Sequence, residues 1–418
     1  MLALARSAAA KALPAVKTSF IREHLYRALL AADLVEEAVS ELRSVIASNQ
    51  DAKPIAPRRN RWSTAETVEA EDHPFVLIKL GRLLKQPTWI AEGIDAVTRL
   101  VASTREERSP TSSSESLRLR LASVLVEEGR LGEAERLIQV ELIDGAKPRE
   151  GQREAWSYRT KPRGQLTALQ LLTVVYQKAD RLSDVLLLLD QASGWGTADL
   201  ATLSESKGDG LLNRSHEDKS NGNGLWTTTA AALLQTGRKE EALKVVRATL
   251  DAFPGDDRAY DLLVRIQGQS ALTELDSLAS RDPFEERPLI WKSFLLFQAG
   301  KLEEAETTAR RAVAVDPSDG EQGKGDRMRV YAVLADIRAA RGDQKEAEFF
   351  REVVRAIRLS EDADDFVAAG LQTRAVKMYR ESLTHFQDAY CIQSRLAVSS
   401  RSWAVTRKRL NITRRPSS

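Results

Sequence analysis

A catalytic or metal site needs nucleophiles, acid–base partners or ligands at spacings that let them converge, and this chain holds few such residues. Its histidines are His24, His73, His216 and His385. None is paired at the spacing that puts two ligands on one helix face, and no His-Glu-x-x-His occurs, so no metal site is predicted. Cys391 is the single cysteine and lies in "AYCIQSRLAV", which reads as a small core residue in a helix. One cysteine permits no internal disulfide and no thiolate cage, and it fits a reducing compartment. "GEQGKGDR" contains a Gly-Lys pair, but Gly325 stands where a phosphate-binding loop needs Ser or Thr, and no strand precedes it. "DKSNGNG" (218–224) lacks the alternating acids and final glutamate of a calcium loop. The sequons at Asn213 and Asn411 carry little meaning without a secretory leader. No cofactor, no catalytic triad and no enzyme activity are expected.

The elements that would have to position any site are helices. Of 418 residues, 42% are hydrophobic, 29% charged and only 6% aromatic, so the core must be mostly Leu, Ala and Val. The 62 basic and 60 acidic side chains leave a net charge of +2, and no general attraction to nucleic acid follows. The longest apolar run is about five residues, in "DVLLLLD", against the roughly twenty that a membrane helix needs. No transmembrane segment is expected, and a cytoplasmic protein is the working expectation.

The pattern repeats. A glycine followed five residues later by alanine occurs at Gly129/Ala134, Gly237/Ala242, Gly300/Ala305, Gly342/Ala347 and Gly370/Ala375. Aspartate replaces the glycine in "AADLVEEAVSEL" around Ala38 and "KADRLSDVLLLL" around Val185. A further degenerate copy, "IQGQSALTELDSLASRDP", centres on Ala271, thirty-four residues before Ala305. Glycine ends one helix because it accepts the left-handed conformation. Acids then open the next helix, where its dipole favours them. The alanine marks the closest approach of the two helices, and a later proline stops the second. Each unit is a helix pair with an apolar face that only a stacked neighbour can bury.

In these residues the chain resembles the tetratricopeptide repeat family, well from Leu225 to Val398 and fairly in the first half. "GRKEEALKVVRATLDAFP" and "GKLEEAETTARRAVAVDP" match the family's small–small–proline skeleton, with Ala312 and Pro317 seven and twelve residues after Ala305. The chain departs from the family in its uneven repeat lengths and in the usual absence of the bulky first-helix aromatic. The resemblance implies an all-α, right-handed superhelical array of roughly eight or nine helix hairpins. It also implies a non-catalytic scaffold or adaptor that binds a peptide or helix in a groove lined by first helices. The alternative is a regulatory repeat module of an enzyme or of a secretion or assembly complex whose catalytic part lies elsewhere. The family's groove positions fall here on Arg287, Ile290, Phe294 and Phe297, then on Arg329, Ala332 and Asp336; packing between repeats is the other reading of the two phenylalanines. One subclass grips a terminal carboxylate with groove asparagines, and no asparagine lies between Gly224 and Leu410, so that mechanism is not expected.

The chain is expected to divide into a basic N-terminal segment (1–20), degenerate repeats (21–192), a linker (193–224), clearer repeats (225–398) and a basic disordered tail (399–418). Spacers are expected at 103–116, 144–165 and 316–327. "MLALARSAAAKALPAVKTSF" reads as a frayed first helix, with a targeting presequence as the other reading. The helical pattern is expected to stop at Ser399, where acids vanish and six basic residues follow in "RSWAVTRKRLNITRRPSS". That tail is either a basic extension or a frameshifted repeat, since permitted codons read in a shifted frame spell another glycine-to-alanine step. If it is frameshifted, an apolar helix face around Tyr390, Ile392 and Leu396 is left uncapped and self-association is expected.

Overall fold

The computed structural model describes residues 15–50, 72–103, 117–146, 163–191, 222–315 and 326–412. Among them every regular element is helical. In chain order these are α1 (Ala15–Ala31), α2 (Val35–Gln50), α3 (His73–Leu83), α4 (Pro87–Ser103), α5 (Leu117–Glu127), α6 (Leu131–Ala146), α7 (Arg163–Lys178), α8 (Leu182–Gln191) and α9 (Gly222–Gln235). There follow α10 (Lys239–Ala252), α11 (Asp257–Gln267), α12 (Ala271–Arg281), α13 (Arg287–Gln298), α14 (Leu302–Val315), α15 (Asp326–Ala340), α16 (Gln344–Ala368), α17 (Gln372–His385) and α18 (Tyr390–Ile412).

The hairpin register is the one that the glycine-to-alanine step predicts. Gly129, Gly237, Gly300, Gly342 and Gly370 all turn at positive φ, and so do Asp33 and Asp180, the two aspartates in glycine's place. Asp is among the few side chains that tolerate this conformation. Five residues after each turn, Ala38, Ala134, Val185, Ala242, Ala305, Ala347 and Ala375 are fully buried, as is Ala271 in the degenerate copy.

One hairpin escaped the pattern. Between α3 and α4 the positive-φ residue is Lys85, and the residue five places on is Ile90, neither of the expected type. The small residues have moved to Gly81 and Gly93. A Cβ on Gly81 would stand 2.7 Å from Ile90, and one on Gly93 2.5 Å from Ile78. The crossing is therefore as close as elsewhere, with the bulk and the gap exchanged between partners.

Two expected boundaries are corrected, and one helix is longer than a single hairpin needs. Helix ends enter the spacers: α6 reaches Ala146, α7 starts at Arg163, α9 at Gly222 and α15 at Asp326. The rest of the 193–224 linker, its calcium-like stretch before Gly222, and the other spacer interiors lie outside the described residues, with residues 1–14 of the basic N-terminal segment. Helix α16 runs 25 residues, serving first as the second helix of one hairpin and then as the first helix of the next. Neither Gly nor Pro interrupts it, so nothing stops propagation. Nor does the helical pattern end at Ser399. That residue is buried, and α18 continues to Ile412 because "SRSWAVTRKRL" is free of breakers. Residues 413–418 lie outside the described residues.

The helices group into two compact units that interleave along the chain rather than dividing at the linker. One comprises Met1–Pro110, Ser318–Met328 and Phe349–Ser418; the other comprises Thr111–Pro317 and Arg329–Glu348. In the first unit, α1–α2 packs on α3–α4. Tyr26 and His73 share a buried 3.2 Å hydrogen bond, and Arg43 forks onto Glu92 at 2.8 and 3.0 Å. Burial lowers the His73 pKa, opposed by the nearby Glu23 carboxylate. Cys391 is buried in α18, as its apolar surroundings suggested. Of the three residues expected on an uncapped face, Ile392 is fully buried and Leu396 packs on the same cluster, while Tyr390 is 56% exposed. Ile392 and Leu396 share this cluster with Ala375 and Tyr379 of α17, Ala356 and Ala363 of α16, and Ala389 in the turn before α18.

Candidate functional site

The second unit presents three successive first helices, α11, α13 and α15. The first two start where their local sequence requires. Asp256 caps α11, its Oδ1 accepting from the amides of Arg258 at 3.0 Å and Ala259 at 3.3 Å. This satisfies donors that a helix start leaves open. Burial pushes the Asp256 carboxyl up, and the two amides oppose the shift. Because Asp256 does the capping, its neighbour Asp257 is left to reach sideways. Pro288 stands in the first turn of α13, where a missing N–H costs nothing.

Asp257, Trp291 and Arg329 come together across the three helices. The Trp291 indole Nε1 donates to Asp257 Oδ1 at 2.7 Å, and Arg329 donates to Asp257 Oδ2 at 2.9 Å. The Arg329 guanidinium also lies 4.2 Å from the centre of the Trp291 ring, a favourable cation–π position. Trp291 in turn meets Phe294 edge to face, with centroids 5.8 Å apart. Arg329 therefore reaches past α13 to a carboxylate on α11, tying first helices of three hairpins together. Replacing Trp291 with Phe keeps the ring but removes the donor, and should cost about 1 kcal/mol by leaving Asp257 with one partner fewer. Urea midpoints of the wild type and Trp291→Phe check this.

The residues expected to line a groove take different environments. Arg287 is largely buried, paired with Glu285 at 2.6 Å and lying over Gly255. Burial raises the Glu285 pKa, and the Arg287 charge opposes it. Ile290 is fully buried. Phe294 and Phe297 are half-buried against Leu296, Ala305, Val333 and Ile337. Arg329 is half-buried in the cluster just described, and Ala332 and Asp336 are exposed. Trp291 and Asp257 were not among the expected residues. A signal was present: they lie 34 residues apart, one repeat period, so they occupy equivalent places on neighbouring first helices.

A second polar cluster joins α14, α15 and the start of α16. Glu306 accepts from Arg310 at 2.9 Å, from Arg341 at 2.8 Å and from Arg338. Glu346 accepts from Arg310 at 2.6 Å and lies 2.9 Å from Arg338 Nε. Burial works to raise the Glu306 pKa, but the Arg310 hydrogen bond and the charges of Arg338, Arg310 and Arg341 outweigh it and hold the carboxyl below its ordinary value.

Among the described residues, no group of three or more His, Cys, Asp or Glu is placed to hold a metal ion. No described helix is long and apolar enough to cross a membrane.

Residues 223–266, covering α9, α10 and most of α11, match the family model described as tetratricopeptide repeat. Solved structures similar to the chain include a tetratricopeptide repeat protein from Parabacteroides merdae, 14% identical, with 68% of this chain and 97% of that one covered and a TM-score of 0.32. Yeast Tom70 is 8% identical over 94% of this chain and 90% of its own, with a TM-score of 0.34. A thermophilic TPR protein from Thermus thermophilus is 13% identical over 68% and 98%, with a TM-score of 0.24. No curated protein matches the sequence.

Proposed function

We propose that this chain, a tetratricopeptide repeat protein, is a non-catalytic scaffold that takes a peptide or helix of another protein against the first helices α11, α13 and α15. Repeats of this kind serve generally as protein-interaction surfaces, and the reading of this face rests on one observation above all. Phe294 and Phe297 are half-buried, with exposed Asp336 and Ala332 on the next first helix. Aromatic anchors beside polar side chains suit an amphipathic segment. The Asp257–Trp291–Arg329 cluster supports the same reading, because it braces the three helices that would carry the ligand. No reaction of its own is assigned to the chain.

The test is site-specific photo-crosslinking with the full chain. A benzophenone side chain at position 297 should capture a partner that co-purifies with the protein, and one at exposed Arg311 on second helix α14 should not. Phe297→Ala, with helicity checked by circular dichroism, should weaken retention of that partner by about tenfold or more. Capture from position 311 alone, or unchanged retention by Phe297→Ala, would overturn the groove reading.

A further inference from the structure

The first unit is assembled from segments far apart in the chain. The turn of the α1–α2 hairpin, at Asp33, lies against the turn between α16 and α17, at Gly370. Thr373 Oγ1 donates to the carbonyl of Ala31 at 2.7 Å. That carbonyl belongs to the last turn of α1, where no further helical amide is available to it. Beside it, the Arg374 guanidinium is paired with the Asp33 carboxylate. Beneath these polar contacts, Ala369 and Leu371 share one apolar cluster with Leu29, Leu30 and Val35, and partly buried Phe366 packs on it. Gly370 has Leu30 as its nearest neighbour, 3.7 Å from the position of a Cβ. The hydrogen bond and the ion pair join residues 342 and 341 positions apart.

Hairpins that follow one another along the chain touch in a similar manner. Gln235, at the end of α9, reaches Asp180 in the turn before α8, and Arg181 reaches Glu135 on the preceding hairpin. Turn beside turn, with a polar bridge over an apolar seam, is what a repeat offers its neighbour. Hairpin α1–α2 stands in that relation to the hairpin formed by α16 and α17, although it is the first in the chain rather than the next.

We propose that α1–α2 is the capping repeat of the C-terminal hairpins: the stacking surface around Ala369–Arg374 has as its partner residues 29–35 of the same molecule. A repeat end needs a cover for its apolar side. Here the cover comes from a hairpin far away in the chain, and the seam Leu29–Leu30–Leu371 is closed within one copy. The surface around Ala369–Arg374 is consequently occupied within the molecule and is not free for a second copy.

The experiment uses the full chain with Cys391→Ser, Ala31→Cys and Thr373→Cys, oxidised at low concentration. The hydrogen bond holds the Thr373 side chain against the backbone of residue 31, which selects this pair for the cross-link. The expected product is a monomer with altered mobility on a non-reducing gel, reverted by reductant, whose tryptic digest links the peptides containing positions 31 and 373. Disulfide found only between two molecules would overturn the proposal. A second arm does not depend on the engineered cysteines folding well. Asp33→Asn and Arg374→Gln, singly and together, should be non-additive: once Asp33 is neutral, Arg374→Gln should shift the urea midpoint little further. Fully additive shifts would show that the two segments do not meet.

Discussion

Replacing Ala305 with tryptophan is expected to destabilise the protein by about 1–3 kcal/mol or more. Ala305 is fully buried and belongs to a cluster with Leu296 of its own hairpin and with Val333 and Ile337 of the next first helix. A larger side chain there must push α13 from α14 and also press on α15. Close-packed interiors have no void to absorb an indole ring, so the strain reaches both interfaces at once. Lys301→Ala is the matched control four residues away. Its ammonium pairs only with Glu304, at 3.4 Å, on side chains 53% and 61% exposed. Exposed pairs of this kind contribute little, and the change should stay within about 0.5 kcal/mol. Urea midpoints for the two variants measure the difference, and equal midpoints would refute the hairpin register.

Glu306→Gln should produce the second large effect. The carboxylate serves Arg310, Arg338 and Arg341, and the neutral amide would weaken all three pairs at once, with Glu346 still beside Arg310 and Arg338 but not paired with Arg341. Breaking a buried ion pair by removing one partner is costly because the other charge stays uncompensated. Arg310 and Arg341 are nearly half exposed and can turn to water, which limits the loss to about 2 kcal/mol at neutral pH. The pH dependence follows from the direction of the shift. Glu306 has a folded pKa below its ordinary value, so its contribution is complete above the unfolded carboxylate pKa of about 4.3 and disappears as pH falls through the lower folded value. The deficit of Glu306→Gln relative to wild type should therefore be constant from neutral pH down to about pH 5 and shrink below it. Denaturation midpoints across this range test both size and sign; a deficit that grows on acidification would contradict the assignment.

The hairpins were legible because their rules are local. A helix end needs a residue tolerant of positive φ, and a close crossing needs a small side chain a few positions later. Asp33 and Asp180 obeyed the same rule as the glycines, which is why the degenerate copies could be found. The α3–α4 hairpin was missed because Lys85 and Ile90 break the rule at the marked positions while Gly81 and Gly93 satisfy it elsewhere. The fusion of two helices into α16 and the extension of α18 to Ile412 were also written locally, as the absence of Gly and Pro. Those breakers carry more information about helix ends than the loss of acids at Ser399, which concerns charge rather than backbone conformation.

The candidate face was legible only in part. Counting by the repeat period placed Phe294, Phe297, Arg329 and Asp336 on first helices, but it gave no reason to pair Arg329 with Asp257 across Trp291. Those contacts depend on how far a long side chain reaches past the adjacent helix.

By itself, then, the order of residues determined each helix, each turn and each crossing, since all of these rest on interactions between residues close in the chain. Which hairpins become neighbours was decided by tertiary structure. Every repeat carries an apolar stacking face of similar character, so local sequence alone cannot say whether the partner of Leu371 is the next hairpin or the first. That choice was made by contacts such as Asp33 with Arg374 and Ala31 with Thr373, which exist only once distant segments have met and their seam has left water.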